Sequence, residues 1–257
     1  MNRVLLTLAF LASLMPGMAA PPSAHIVIMT VEDPNNYDAV NSMRSFAEKE
    51  LRPQGYRVSI IEGDKPEPHH FAGLIAALKD ADLLVLFSRR RTPPKDQLDA
   101  VRAYLDAGKP LVAIRTANHA FVPSPKNPLT DERLATWPEF TPDVLGCQNT
   151  GYETNGMPYR VSVLPGAADS PLLKGVNADK ILGHQSLYKV LPLAADATPL
   201  LLGTAQGQTP AQPVAWTRLY GKNKARVFYT SVCAPEDMLI PDVRRLLLNG
   251  VVWTLGK

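Results

Sequence analysis

The sequence is poor in the residues that disulfides and metal sites need. It has two cysteines, Cys147 and Cys233, among 257 residues, which allows a single disulfide or two buried free thiols. The five histidines include no closely spaced pair with helix geometry. His69 and His70 are adjacent, so they cannot both face one ion from a regular element. We therefore predict no metal site.

The motifs of several large enzyme classes are also missing. No G-x-G-x-x-G follows the first predicted strand, which argues against a dinucleotide, and we predict no cofactor. No G-x-S-x-G is present, which argues against a Ser-His-Asp hydrolase. The chain also has no internal repeat, low-complexity tract or linker, so one domain is the simplest account.

Long charged or apolar runs are rare. The formal net charge is +3 and the charges are dispersed, which argues against nucleic-acid or membrane-surface binding. One apolar run, residues 4–15, follows Arg3 and precedes small residues at 16–20. It is too short to span a membrane comfortably, and this order is typical of a secretory signal. We predict a signal peptide over residues 1–20, a periplasmic or secreted location, and one mature domain over residues 21–257.

What the sequence does contain is an alternation of strands and amphipathic helices. Strand and helix alternate four times within about a hundred residues of the mature chain. This alternation predicts an α/β fold with a doubly wound, mostly parallel sheet. The predicted strands of this half cover residues 25–30, 56–61, 82–87 and 111–114.

The second half has a different pattern. The periodicity fails over residues 121–158, where Trp137 and Phe140 indicate a lid or site-lining insertion that packs against the domain. Short strand-like runs then follow at close intervals, which favours additional antiparallel strands. A last helix over residues 242–255 returns to cover the sheet. The predicted strands of this half cover residues 159–164, 181–190, 199–202, 214–219 and 226–231.

A cluster of polar residues follows the predicted strand at residues 111–114. Ligands of open parallel sheets bind outside the carboxyl ends of the strands, so this cluster predicts a binding site. Arg115 and His119 are its catalytic candidates, since an imidazole titrates near the working pH. Thr116 and Asn118 are its candidate binding residues. The alternatives are a polar loop with a structural arginine, and a histidine hydrogen-bonded within that loop.

Other predicted strands also end in polar residues. Glu32 and Tyr37 follow the first strand, Arg90 lies in the basic run after the third, and Glu236 follows the last. We predict that these residues bind substrate at the same edge of the sheet, together with His184 from the second half. The alternatives are helix-start or capping positions for the two glutamates and an exposed strand position for His184.

Six segments of the chain share their residues and their order with one known family. The segments are residues 88–94, 114–121, 186–189, 213–218, 226–231 and 244–250. Together they resemble the ThuA-like, or trehalose-utilisation, family. The likeness covers roughly residues 25–255, and it depends on the order and number of the segments. It implies the flavodoxin-like fold of class I glutamine amidotransferases, a link to sugar catabolism, and a ligand hydrogen bond from Tyr188.

The resemblance also implies a changed site. Class I glutamine amidotransferases place a nucleophilic cysteine on a tight turn after the strand that here is residues 111–114, and Arg115 fills that position. A guanidinium stays protonated and has no lone pair, so thioester chemistry is excluded there. It can hold a carboxylate, a developing oxyanion or sugar hydroxyls. Relatives often carry histidines where this chain has residues 146–153 and 233–234, which argues against metal binding and against catalysis.

Two hypotheses follow. In the first, an exported enzyme acts on a sugar or keto-glycoside by hydrolysis, elimination or isomerisation, with Arg115 stabilising charge and His119 moving a proton. In the second, the same scaffold is a non-catalytic domain that binds a carbohydrate or a protein partner.

Overall fold

The computed structural model describes residues 24–63, 69–126, 128–153, 157–205 and 211–257. The predicted signal peptide, residues 1–20, lies outside these ranges. Within them, no helix combines the length and the hydrophobicity of a membrane span.

A nine-stranded sheet organises the described chain, in the order β2-β1-β3-β4-β9-β8-β7-β5-β6. The first five strands in this order pair in parallel, which confirms the predicted doubly wound, flavodoxin-like arrangement. The remaining pairs are antiparallel, as predicted for the second half. The strands are β1 His25–Thr30, β2 Arg57–Glu62, β3 Leu83–Phe87, β4 Leu111–Ile114, β5 Tyr159–Val163, β6 Leu182–Gly183, β7 Thr198–Ala205, β8 Gln212–Tyr220 and β9 Ala225–Thr230.

The parallel strands are apolar throughout because both of their faces are covered. Successive side chains of a strand point to opposite faces, so Ile26 and Ile28 belong to one core cluster while Val27 and Met29 belong to the other. Helices α1 and α4 cover the first face, and α2 and α3 cover the second. The helices are α1 Ala39–Phe46, α2 Leu74–Lys79, α3 Lys95–Asp106 and α4 Pro241–Thr254.

The strand order creates a crevice at the carboxyl ends of β1 and β3. After β1 the chain turns towards β2 on one side, whereas β3 and β4 lie on the other side. Connections that leave neighbouring strands in opposite directions open a gap at this edge, which is where ligands of such sheets bind.

One predicted strand is wrong for most of its length. Of residues 181–190, only Leu182–Gly183 forms a strand. The reason lies in the insertion. Backbone hydrogen bonds join residues 187–190 to residues 148–153: for example, Lys189 N–H donates to the Gly151 carbonyl and Gln148 N–H donates to the Val190 carbonyl, both at 2.9 Å. The segment therefore leaves the main sheet and passes over its edge.

The insertion over residues 121–158 packs against the domain, as predicted. Trp137 and Phe140 are buried, and their rings contact each other and the ring of Phe121. A π-helical turn at Phe140–Leu145 carries the buried Val144. This aromatic cluster fixes the chain just beyond the predicted site.

The two cysteines are buried free thiols, so they do not form the disulfide that the sequence left open. Burial raises the pKa of the Cys147 thiol to about 12 and also raises the pKa of Cys233. Neither thiol is ionised near neutral pH, which removes both as nucleophiles.

Candidate functional site

A cleft of about 590 Å³ lies at the carboxyl edge of the parallel strands. Loops after β1, β3, β4 and β9 form most of its wall, and the segments at residues 149–152 and 185–188 close it. It is therefore assembled at the predicted edge of the sheet. Of the predicted site residues, those that line it are Tyr37, Arg90, Thr116, His119, Tyr188 and Glu236.

Left-handed backbone conformations cluster around this cleft. Tyr37, Asp38, Arg90 and Arg115 have φ values of +55°, +47°, +46° and +42°. The other described non-glycine residue with a positive φ is Lys224, in a hairpin turn. A side chain in this conformation costs roughly 1–2 kcal/mol, and such residues concentrate at functional sites. The clustering supports the cleft as the working site of the protein.

Arg115 lies beneath the cleft rather than on its wall. Its side chain is fully buried, and its Nη1 and Nη2 donate to the carbonyls of Ser231 and Ser186. Its guanidinium carbon lies 4.2 Å from the ring centroid of Tyr37 and 5.0 Å from that of Tyr188. No carboxylate of the described chain forms a salt bridge with it. Its positive charge therefore acts on the cleft through the two tyrosines.

Tyr37 has an unusual electrostatic environment. Burial raises the pKa of its hydroxyl, but the charge of Arg115 and hydrogen bonding from Tyr188, Arg115 and Ser186 outweigh burial, so the pKa lies below its ordinary value. By contrast, burial raises the pKa of Tyr188 despite the nearby Arg115. The two cleft tyrosines thus differ in the direction of their pKa shifts, and the surroundings stabilise the phenolate form of Tyr37 but not that of Tyr188.

His119 is a neutral histidine in this site. Burial and the charges of Arg90, Arg89 and Arg115 lower its pKa to about 3. The side-chain nitrogen of Asn149 lies 3.2 Å from His119 Nδ1. An amide nitrogen donates, so Nδ1 accepts and the ring proton is on Nε2. At neutral pH this imidazole offers one hydrogen-bond donor and carries no charge.

The basic run after β3 is divided among different partners. Arg91 forms an ion pair with Asp33 at 3.0 Å, and Arg89 approaches the same carboxylate at 3.9 Å. Arg90 donates from Nη1 to the Pro123 carbonyl at 2.9 Å. Burial and the charge of Arg89 lower the pKa of Arg90, although a guanidinium stays protonated at neutral pH. Arg89 and Arg90 both line the cleft.

Three predicted site residues lie away from the cleft. Glu32 lines a neighbouring depression beside α1. Asn118 is buried behind the wall, where its backbone carbonyl accepts a hydrogen bond from Thr141 at 2.6 Å. The Nδ1 atom of His184 lies 2.9 Å from the buried carboxylate of Asp237. The structure therefore does not bring these three residues to the cleft.

Several site residues were missed by the sequence reasoning. Asn36 is buried and donates from Nδ2 to the carbonyls of Val31 and Phe87 at 2.9 and 3.1 Å, which ties the loop after β1 to the end of β3. Asn149 lines the cleft from the insertion, and Gln185 lines it from the segment that the sequence predicted as a strand. The position of Asn36 after a strand was an available signal, whereas neither Asn149 nor Gln185 follows the end of a predicted strand.

The titratable residues do not assemble into a metal centre in the part of the chain that the structure describes. No group of three histidine, cysteine, aspartate or glutamate side chains there is placed to hold an ion. Glu32, His119 and His184, which could have formed a composite set, occupy separate environments.

The fold and the cleft define a flavodoxin-type doubly wound protein with a cleft at its topological switch point, the place where ligands of such sheets bind. The profile of the ThuA family, described as trehalose utilisation, matches residues 26–254. The chain therefore belongs to the ThuA family, whose description indicates a carbohydrate-related role at the level of the family.

Solved structures of ThuA-like proteins share this fold. One from Bacteroides uniformis is 16% identical, with a TM-score of 0.68, over 93% of this chain and 94% of that one. Another, from Parabacteroides merdae, is 15% identical, with a TM-score of 0.65, over 91% of each chain. No curated protein matches the chain.

Proposed function

We propose that this protein is an exported enzyme that acts on a sugar or keto-glycoside in the site cleft, with Tyr37 moving a proton and Arg115 stabilising its phenolate. The observation that carries the proposal is the placement of the Tyr37 ring 4.2 Å from a fully buried guanidinium that forms no salt bridge with a carboxylate of the described chain. A buried cation stabilises an anion beside it, so Arg115 lowers the cost of forming a phenolate at Tyr37, whose ring lines the cleft.

The cleft suits a hydroxylated ligand. Its volume of about 590 Å³ falls within the range of small-molecule sites. Its wall offers phenol, amide, hydroxyl and guanidinium groups from Tyr188, Gln185, Thr116 and Arg90. These groups pair with sugar hydroxyls and carbonyls, and the ThuA family assignment supports a carbohydrate as the ligand.

Tyr37 would act as the proton acceptor. Its phenolate takes a proton from a substrate hydroxyl, or from a C–H beside a keto group, and the electron pair stays on the substrate. The resulting phenol later returns the proton, so the enzyme is unchanged after turnover. His119 is the neutral donor that holds a substrate oxygen through Nε2, while Arg115 stabilises the phenolate from below.

Hydrolysis, elimination and isomerisation all use such a proton transfer, and the reaction belongs to one of these three types. Glutamine hydrolysis through a thioester is excluded because Arg115 replaces the nucleophile and both cysteines are buried thiols with raised pKa values.

A second candidate is a non-catalytic carbohydrate-binding domain. Two observations favour it: Arg115 is fully buried and does not reach the cleft, and His119 is neutral. A domain of this kind would bind sugars without converting them.

Substitution of Tyr37 by phenylalanine tests the proposal. We expect tyrosinate absorbance of the wild type to show one tyrosine that ionises below the others, and Tyr37→Phe to remove it. Turnover of keto-glycosides should fall by about 10²–10⁴-fold in the variant, the usual contribution of a positioned acid or base.

The matched control is Tyr220→Phe, which changes a tyrosine at the far end of β8, outside the cleft. It should retain both the low pKa of Tyr37 and the turnover. Binding of sugars without conversion by the wild type would instead support the second candidate.

Mass spectrometry of the periplasmic or secreted form tests export, since the proposal requires an N-terminus close to residue 21.

A further inference from the structure

We propose that the ligand of this cleft carries an anionic group, a carboxylate or phosphoryl, which Arg89 and Arg90 bind. This inference rests on the proposed function, because it names the class of sugar that the same site takes. An anionic sugar derivative differs from the neutral sugars and keto-glycosides considered so far, and its recognition requires cations that are not already neutralised.

The basic run after β3 contains cations that no carboxylate neutralises fully. Asp33 is the carboxylate beside the basic run, and it is already engaged by Arg91 at 3.0 Å and approached by Arg89 at 3.9 Å. Arg90 forms no salt bridge with a described carboxylate, and its Nη1 donates to the Pro123 carbonyl. Among the described residues, Asp33 is the one carboxylate within salt-bridge distance of these three guanidiniums, so Arg89 and Arg90 keep unneutralised charge at the cleft wall.

The carboxylates that line the cleft, Asp38 and Glu236, are exposed. Solvent screens charges in such positions, whereas the partly buried Arg89 and Arg90 are screened less. The deeper part of the cleft is therefore more positive than its rim. An anion that enters it also gains from the fork geometry of guanidinium groups, which matches carboxylate and phosphoryl oxygens.

His119 lies in the same positive potential. Burial contributes most to the low pKa of its imidazole, and the charges of Arg90, Arg89 and Arg115 lower that pKa further. The charge that disfavours a protonated imidazole favours an anion at the same place. A bound anion should in turn stabilise the protonated ring, so the state of His119 measures whether the cleft holds a negative charge.

Backbone hydrogen bonds also fix the turn that carries Arg90. The N–H of Arg90 donates to the His119 carbonyl at 3.2 Å, and the N–H of the next residue, Arg91, donates to the Ala120 carbonyl at 2.6 Å. These bonds join the turn after β3 to the turn after β4. The turn is therefore ordered before a ligand binds, which lowers the cost of ordering this part of the site on binding.

Calorimetric titration with three probes tests the inference: glucuronate for a carboxylate, glucose 6-phosphate for a phosphoryl group, and neutral glucose. We expect at least one anionic probe to bind about tenfold more tightly than glucose or better, as one charge-assisted hydrogen bond corresponds to about that factor. Which anion binds more tightly then distinguishes the two chemistries. Binding of that anion should raise the pKa of His119 above its unliganded value of about 3. NMR of the ring protons as a function of pH measures this change.

Arg90→Met should remove most of the preference for the anion, whereas Arg90→Lys should retain part of it, because lysine keeps the charge without the fork. The control Arg245→Met alters an exposed arginine on α4, outside the cleft, and should leave all three affinities unchanged. Equal binding of glucose and both anions, failure of both anions to bind, or an unchanged preference in folded Arg90→Met would each overturn the inference. None of these outcomes bears on Tyr37, whose ionisation and turnover are measured separately.

Discussion

The turns after β3 and β4 use the same backbone conformation for opposite purposes. Each has an arginine with a positive φ, +46° at Arg90 and +42° at Arg115, and backbone hydrogen bonds join the two turns. Yet Arg115 is fully buried beneath Tyr37 and Tyr188, whereas Arg90 reaches the cleft wall. The difference comes from what covers each turn rather than from the turn itself.

This comparison separates two ways in which a cation serves a site. A buried guanidinium cannot meet a ligand, so it acts by changing the ionisation of groups that can. A guanidinium at the cleft wall, such as that of Arg90, has donors beyond the one bound to the Pro123 carbonyl, so it can bind a ligand and change its affinity directly. Removal of Arg115 should therefore alter chemistry and pH dependence, while removal of Arg90 should alter binding.

The largest effect is expected for Arg115→Met. Without the guanidinium, the pKa of Tyr37 should rise towards or above its ordinary value, so activity that requires the Tyr37 phenolate should appear only at higher pH. Turnover at neutral pH should fall by about 10²–10³-fold, as for loss of one preorganised electrostatic group. In Arg115→Lys, which keeps the positive charge, the pKa of Tyr37 should stay partly lowered. An unchanged ionisation of Tyr37 in a folded Arg115→Met variant would contradict the comparison.

The next effect concerns stability in acid. His119 has a pKa of about 3 in the folded protein, below the usual value near 6.5, so the unfolded chain binds a proton that the folded protein resists. Stability should thus fall as pH decreases from about 6.5 towards 3, by up to about 1.4 kcal/mol per pH unit.

Urea unfolding at several pH values measures this slope. His119→Gln should flatten it, since glutamine does not titrate, whereas His70→Gln, outside the cleft, should retain it. The same slope in wild type and His119→Gln would show that His119 is not the group held neutral.

A smaller effect is expected from Gly183→Ala, which tests the packing of Tyr159, a neighbour of Arg115. A Cβ at Gly183 would overlap the ring of Tyr159. Tyr159 is buried and interacts with Arg115, and burial raises its pKa despite that cation. Overpacking of this kind costs about 1–3 kcal/mol in the free energy of unfolding. In a double-mutant cycle, Tyr159→Ala should cancel much of that loss; purely additive effects would place the strain elsewhere.

The smallest effect is expected from Asp33→Asn at the turn after β3. Loss of the carboxylate charge releases Arg89 and makes the cleft more positive, so an anionic probe should bind roughly twofold more tightly, an effect of about 0.5 kcal/mol. Calorimetric titration with the better anionic probe measures this change. Weaker binding would show that Asp33 orients the arginines more than it neutralises them.

The sequence predicted the parallel half of the fold well. Its strands are short apolar runs buried on both faces, a pattern that depends on local composition, and β1 and β4 begin and end at the predicted residues. The edge of the sheet that carries the cleft followed from the same strands, since parallel strands share a carboxyl end. Six of the predicted site residues therefore line the cleft.

The errors lie where distant segments meet. Residues 181–190 resemble a strand in composition, but most of their length pairs with the insertion at residues 148–153, which no local pattern indicates. Glu32 and His184 have the residue types of a site, yet one faces a neighbouring depression and the other contacts Asp237. A position after a strand does not specify the direction of a side chain.

Local sequence was sufficient to define the strands, the helices between them and the turn that carries Arg115, because backbone preferences and apolar periodicity act over a few residues. The burial of Arg115 and the ionisation of Tyr37 depended on contacts between residues 37, 115, 186 and 231, which are far apart in the chain. Electrostatic energies vary with distance and burial, and both quantities exist only once the chain has folded.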